Sequence, residues 1–168
     1  MTNIKSGAIL QPLALFQQIK KMETKYYQKP SGAFIGASWM ALLIGFTAYI
    51  IGLWNAEMQL NEKGYYFTVL MFGLFAAISL QKAVRDQLEG IPVTNLYYSI
   101  AWFATILSIV LITVGLWNAD ITRSEKGFYA MSFILSIFAA IAVQKNTRDS
   151  RASENKSDNY QNNEHQPF

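Results

Sequence analysis

The 168-residue chain has no cysteine. That excludes disulfides, thiolate metal sites and lipid-modified cysteine, and it leaves the redox compartment undetermined. Histidine is nearly absent as well: the only one, His165, lies in a polar C-terminal stretch and is read as solvent-exposed and inert. Charge is scarce, with 15% of residues charged against 52% apolar. It is missing altogether from four stretches: no Lys, Arg, Asp, Glu or His occurs between Ala33 and Ala56, Gly64 and Gln81, Ile91 and Ala119, or Gly127 and Gln144. A soluble four-helix bundle would need a charged stripe facing water on each helix, and these runs have none. The same scarcity excludes most chemistry at depth. No carboxylate pair, histidine or thiol is available there for acid–base or nucleophilic work, so an enzyme is not expected and no cofactor is implied.

Each uncharged run is long enough, or nearly so, to cross a hydrocarbon layer of roughly 30 Å at about 1.5 Å per helical residue. The expected fold is therefore an all-α integral membrane protein with four transmembrane helices. The runs are not independent. Gly52-Leu53-Trp54-Asn55-Ala56-Glu57 returns as Gly115-Leu116-Trp117-Asn118-Ala119-Asp120, and a shift of 63 residues makes 19 of the 48 positions from Trp39 to Asp86 identical. Glu62-Lys63-Gly64 falls on Glu125-Lys126-Gly127, Gln81-Lys82 on Gln144-Lys145, and Arg85-Asp86 on Arg148-Asp149. Identity at polar and aromatic positions marks duplication rather than shared hydrophobicity. The four spans are thus two tandemly repeated helical hairpins.

In chain order, residues 1–30 form an N-terminal segment. Its Ile9, Leu13, Phe16 and Lys20 are spaced as on one helical face, so it reads either as a short interfacial helix or as a partly ordered tail. Residues 31–89 are the first repeat. Its first span, about Ala33 to Trp54, carries Gly32, Gly36, Ala37, Ala41 and Gly45 as a candidate close-packing face. A short polar connection returns the chain antiparallel, with Asn61 and its counterpart Ser124 as candidate helix caps. The second span starts near Tyr65 and offers Gly73 and Ala77 as a small-residue pair, matched by Ser136 and Ala140 in the second repeat. Gly90 and Pro92 break the helix and begin the second repeat, residues 90–149. From Ser150 the composition turns to Ser, Asn, Gln and charge, so residues 150–168 are expected to be a disordered tail.

Four spans put both ends and the central link on one side. That side would hold Lys5, Lys20, Lys21, Lys25, Lys29, Lys82, Arg85, Lys145, Arg148, Arg151 and Lys156, against Lys63, Arg123 and Lys126 on the other. The excess of basic residues predicts both termini in the cytoplasm. The two Trp-Asn-Ala loops then face outward.

A Gly-Leu-Trp-Asn-Ala turn, a Glu-Lys-Gly restart and a Gln-Lys-x-x-Arg-Asp ending make each hairpin resemble the YiaAB two-helix domain family of bacterial membrane proteins. The resemblance covers about Gly32 to Asp149. It implies a multi-pass protein of the bacterial inner membrane and brings no activity, substrate or catalytic residue with it.

The candidate functional positions are those the repeat keeps. Trp54, Asn55, Glu62 and Lys63 with Trp117, Asn118, Glu125 and Lys126 lie at one interface. Gln81, Lys82, Arg85 and Asp86 with Gln144, Lys145, Arg148 and Asp149 lie at the other. Two roles fit. One is a structural or interaction component of the cell envelope, contacting membrane lipids and a second copy of the chain or another membrane protein. The other is to anchor and cap the spans, as Trp at an interface, Asn after a helix and basic residues at its end do in any span. The alternative function is a small transporter or channel subunit working as an oligomer, but coupled ion transport generally uses an ionisable group within the membrane. Glu57, Glu62, Asp120 and Glu125 share one side and could attract a cation, although loop carboxylates are usually just solvated. Nothing points to a metal site or to nucleic acid.

Overall fold

The structure, a computed structural model, describes residue 15 and residues 30–164, with side chains to residue 154. The expected interfacial helix within residues 1–30 falls outside them. Four helices follow in order: α1, Gly32–Asn55; α2, Leu60–Leu88; α3, Asn95–Asn118; and α4, Arg123–Glu164. All four are long and apolar enough to cross a membrane. Residues 32–145 form one compact unit; residues 146–164 fall in a second one.

The helix ends are set by local hydrogen bonds. Asn55 and Asn118 close α1 and α3 by donating from Nδ2 to the carbonyls of Ile51 and Val114, at 2.8 and 2.9 Å. These bonds fold each asparagine side chain back onto the last turn of its own helix. Each returning helix starts on a carboxylate that reaches back three residues. Glu62 accepts from the Gln59 backbone N–H at 2.9 Å, and Glu125 accepts from the Thr122 N–H at 2.8 Å and from its hydroxyl at 2.7 Å. Gln59 and Thr122 are therefore the capping positions. Asn61 and Ser124, the expected caps, lie inside the first turn, because a reciprocal cap needs its carboxylate three residues on. At the other end of α2, Gly90 takes φ +73°, while Gly90 N–H donates to Gln87 O and Ile91 N–H to Asp86 O. This pair of bonds around a left-handed residue is a Schellman ending, and Pro92 beyond it prevents continuation.

Within residues 32–145 the close approaches run between hairpins. A Cβ on Gly52 would fall 2.6 Å from a Phe128 ring carbon and 3.4 Å from Tyr129, and one on Gly115 would fall 2.7 Å from Tyr65 and 3.3 Å from Tyr66. These two contacts are the same contact, because a shift of 63 residues turns one into the other. Helix α1 lies against α4 just as α3 lies against α2, so the hairpins are related by a twofold axis. Tyr66 and Tyr129, themselves repeat equivalents, stack with ring centroids 6.1 Å apart and planes at 17°. Gly73 of α2 sits on Phe133 and Ile137 of α4, which brings the two returning helices together near the axis. Within the first hairpin, Tyr49 of α1, fully buried, donates its hydroxyl to the Tyr66 carbonyl at 3.0 Å. Leu53, Val69, Leu70, Ile112, Leu116 and Phe133 complete the buried cluster.

Only part of the expected close-packing face of α1 is used. Gly45 would set a Cβ 2.9 Å from Ser136 Oγ, whereas nothing lies within 4 Å of Gly32 or Gly36. The seam is formed by Gly45, Tyr49 and Gly52, in the half of the helix nearer the loop. Gly73, Ala77, Ser136 and Ala140 are all buried, as their spacing suggested.

In the second unit, residues 146–164 are helical. The composition from Ser150 points to disorder, yet α4 runs on to Glu164. Nucleation is the costly step of helix formation, and here the spanning run supplies it, so a polar extension adds only propagation.

Candidate functional site

At the loop side, the asparagines, glutamates and lysines kept by the repeat serve the backbone of their own hairpin. Lys63 donates from Nζ to the Trp54 carbonyl at 3.0 Å, and Lys126 to the Trp117 carbonyl at 3.2 Å. Each lysine thus bridges the end of one helix to the start of the next and complements the negative end of the helix dipole. Asn55, Asn118, Glu62 and Glu125 make the caps described above. The indoles of Trp54 and Trp117 point away from the bundle, 81% and 82% exposed, as aromatic rings at a membrane interface do.

At the opposite ends, Arg85 donates from Nε and Nη2 to Asp86 Oδ1, at 3.2 and 2.7 Å. In the second unit, Arg148 makes the same fork to Asp149, at 3.1 and 2.9 Å. Lys82 and Lys145 are exposed. Gln81 and Gln144 differ from their neighbours: the Oε1 of each is buried and accepts no hydrogen bond. Each lies one turn beyond the small-residue pair of its helix, Gly73–Ala77 and Ser136–Ala140.

Two serines buried at depth spend their hydroxyls locally. Ser108 donates to Thr105 O at 2.8 Å and Ser136 to Ser132 O at 2.7 Å, both within their own helices. The loop ends of α2 and α3 flank a shallow polar depression of about 240 Å³, with Asn61, Glu62, Tyr65 and Asn118 on its walls. There Tyr65 donates its hydroxyl to the Leu111 carbonyl across the hairpins at 2.7 Å. An apolar cleft of about 530 Å³ opens between α3 and α4, lined by Ile112, Leu116, Ala130 and Phe133, with Trp117 and Lys126 at its loop end. Sequence reasoning missed the tyrosine cluster and this cleft. For the cleft, the available signal was where the repeats differ in volume, since attention to identities passes over such positions.

The yiaA/B two helix domain matches the chain twice, over residues 34–86 and 97–149. The chain belongs to the yiaA/B two-helix-domain family. It is similar to the inner membrane protein YiaA of Escherichia coli (strain K12), at 60% identity over 119 residues, which are 71% of this chain and 82% of that protein. It is also similar to the inner membrane protein YiaB of the same organism, at 28% identity over 107 residues, 62% of this chain and 88% of that protein. The membrane protein YubF of Bacillus subtilis (strain 168) is 38% identical over 66 residues, 39% of this chain and 76% of its own length. No solved structure matches the chain. The two yiaA/B domains coincide with the two hairpins, so the glycine–aromatic contacts described above are contacts between domains. This multi-pass membrane protein is a pair of yiaA/B domains clasped across a twofold axis.

Proposed function

We propose that the protein resides in the bacterial inner membrane with both termini in the cytoplasm, and that it acts as a structural or interaction component of the envelope rather than as an enzyme. The observation that carries this reading is how the repeated polar side chains are used. At the loops they cap and bridge their own helices, and the uncharged spans between them hold no Asp, Glu, Lys, Arg or His for ion coupling. What such a molecule offers to its surroundings is its lipid-facing surface and its two ends. Partners of matching chemistry are lipids, a second copy of the chain, or another membrane protein. Affinity capture of the full chain in mild detergent is expected to return the same membrane partner in independent preparations; the absence of any reproducible partner counts against the reading.

The second reading is a small transporter or channel subunit working as an oligomer. The orphaned carbonyl oxygens of Gln81 and Gln144 favour it, because a polar atom buried without a partner is what a passing solute or water would satisfy. Ser108 and Ser136 argue the other way, since their hydroxyls are already donated to their own helices. Substrate-dependent uptake by proteoliposomes would make transport the better reading.

A further inference from the structure

The cleft between α3 and α4 lies where the second hairpin carries smaller side chains than the first. Ile109, Ile112, Thr113 and Ala130 line it. The residues at the matching places of the first hairpin are Phe46, Tyr49, Ile50 and Phe67. Three aromatic rings of the first hairpin stand where the second has aliphatic side chains, and an isoleucine stands where the second has a threonine. Tyr49 fills its own place completely, being fully buried with its hydroxyl on the Tyr66 carbonyl. The reverse change, Leu70 to Phe133, does not refill the space.

We propose that this cleft is a binding site for one phospholipid of the loop-side leaflet, an acyl chain lying along α3 and α4 and an anionic headgroup at Lys126. The inference rests on the membrane embedding of the four helices and not on the proposed envelope role. The lining is almost wholly apolar, and the Thr113 hydroxyl is donated to Ile109 O at 2.7 Å. A water molecule needs two to four polar partners and finds few here. At about 530 Å³ the cleft lies within the roughly 300–1,000 Å³ of small-molecule sites. Both helices cross the membrane, so the apolar groups at hand to fill it are lipid chains. The charge at its mouth selects the headgroup. Lys126 gives one hydrogen bond to the Trp117 carbonyl at 3.2 Å and keeps two N–H groups for phosphate oxygens. Trp117 beside it sits where indoles meet headgroups.

Two variants install the first hairpin's own residues: Ile112→Tyr and Ala130→Phe. With full-length protein in mild detergent and either dioleoyl phosphatidylglycerol or dioleoyl phosphatidylcholine added, native mass spectrometry should find one tightly held phosphatidylglycerol per chain. Each variant should weaken that binding by about tenfold or more, a loss of one decade in affinity. Lys126→Gln should keep the chain site but lower the preference for phosphatidylglycerol by about fivefold, the effect expected of one basic residue near an anionic surface. Unchanged occupancy in both filling variants overturns the proposal. So does a dimer that they dissociate, which would make a second copy the occupant. A measurement without cleft variants uses single-tryptophan proteins retaining Trp117 or Trp54, whose indoles are equally exposed on the bundle surface. In phosphatidylcholine bilayers with a small fraction of chain-brominated phosphatidylglycerol, Trp117 should be quenched more than Trp54, and equal quenching would also overturn the site.

Discussion

At the scale of single residues, what matters is which glycines lie where backbones meet. Gly45 and Gly36 are alike in sequence terms, both in an uncharged run and both part of a small-residue pattern. Their surroundings differ. A methyl group on Gly45 would come 3.0 Å from the Ser136 backbone nitrogen as well as 2.9 Å from its hydroxyl, and backbone cannot move aside as a flexible side chain can. Gly45→Ala should therefore push α1 from α4 and cost about 1–3 kcal/mol, the usual penalty of overpacking. Gly36→Ala meets nothing within 4 Å and removes a flexible residue from a helix, so it should stabilise by roughly 0.5–1 kcal/mol. Thermal unfolding of the two variants in one detergent separates them, and equal midpoints would contradict the packing described. Tyr49→Phe, which loses the donor to Tyr66 O, should cost about 0.5–1.5 kcal/mol by the same measurement. The small-residue spacing of α1 was legible in the sequence. Which part of it touches another helix was not, because periodicity defines a face but says nothing of the level at which a neighbour crosses.

At the scale of elements, the sequence fell short at the helix boundaries. The spans were readable as uncharged runs, but a run stops at its first charge, whereas a helix stops where its backbone finds other partners. Helix α2 consequently begins at Leu60, just ahead of the expected cap Asn61, with Glu62 serving its first turn as a cap. The same logic explains why polar residues repeated at the loops drew attention as a candidate site: their identity across the repeat was plain, and their service to the backbone shows only in three dimensions. This use can be tested against a ligand-binding one. Glutamine at the third helical position can still accept from the capping residue's N–H, whereas alanine cannot. Glu62→Ala should then destabilise by about 1 kcal/mol in thermal unfolding, while Glu62→Gln should stay close to the parent. If both variants lose equally, the charge itself carries the role and the capping account is wrong.

At the scale of the whole molecule, the two hairpins are joined by contacts that neither can make alone. Residues 1–90 and 91–168 expressed as separate chains should accumulate poorly by themselves and co-purify when produced together, because Gly52, Gly73 and Gly115 all meet side chains of the other half. Stable accumulation of either half alone, without its partner, would argue that each hairpin is self-sufficient. Orientation can be checked in the same cysteine-free background. A cysteine at Gln59 or Thr122 should react with an impermeant thiol reagent in intact cells, and one at Gln87 or Ser153 only after lysis. Labelling of both sets in intact cells would mean dual topology, and the reverse pattern an inverted one. The repeat made the duplication and the span count legible from the chain alone, but not which helix of one copy would embrace which helix of the other. The packing core carries one last consequence. Gly45 faces Ser136, and their repeat equivalents are Ser108 and Gly73, so the first hairpin carries glycine at both places and the second carries serine at both. Two separate, identical hairpins would have to carry the same residue at both symmetry-related places, and any change would strike twice. Covalent fusion removed that obligation: each half became free to drift by itself as long as the other compensated, and a mutation that doubles its damage in a homodimer is paid for here only once.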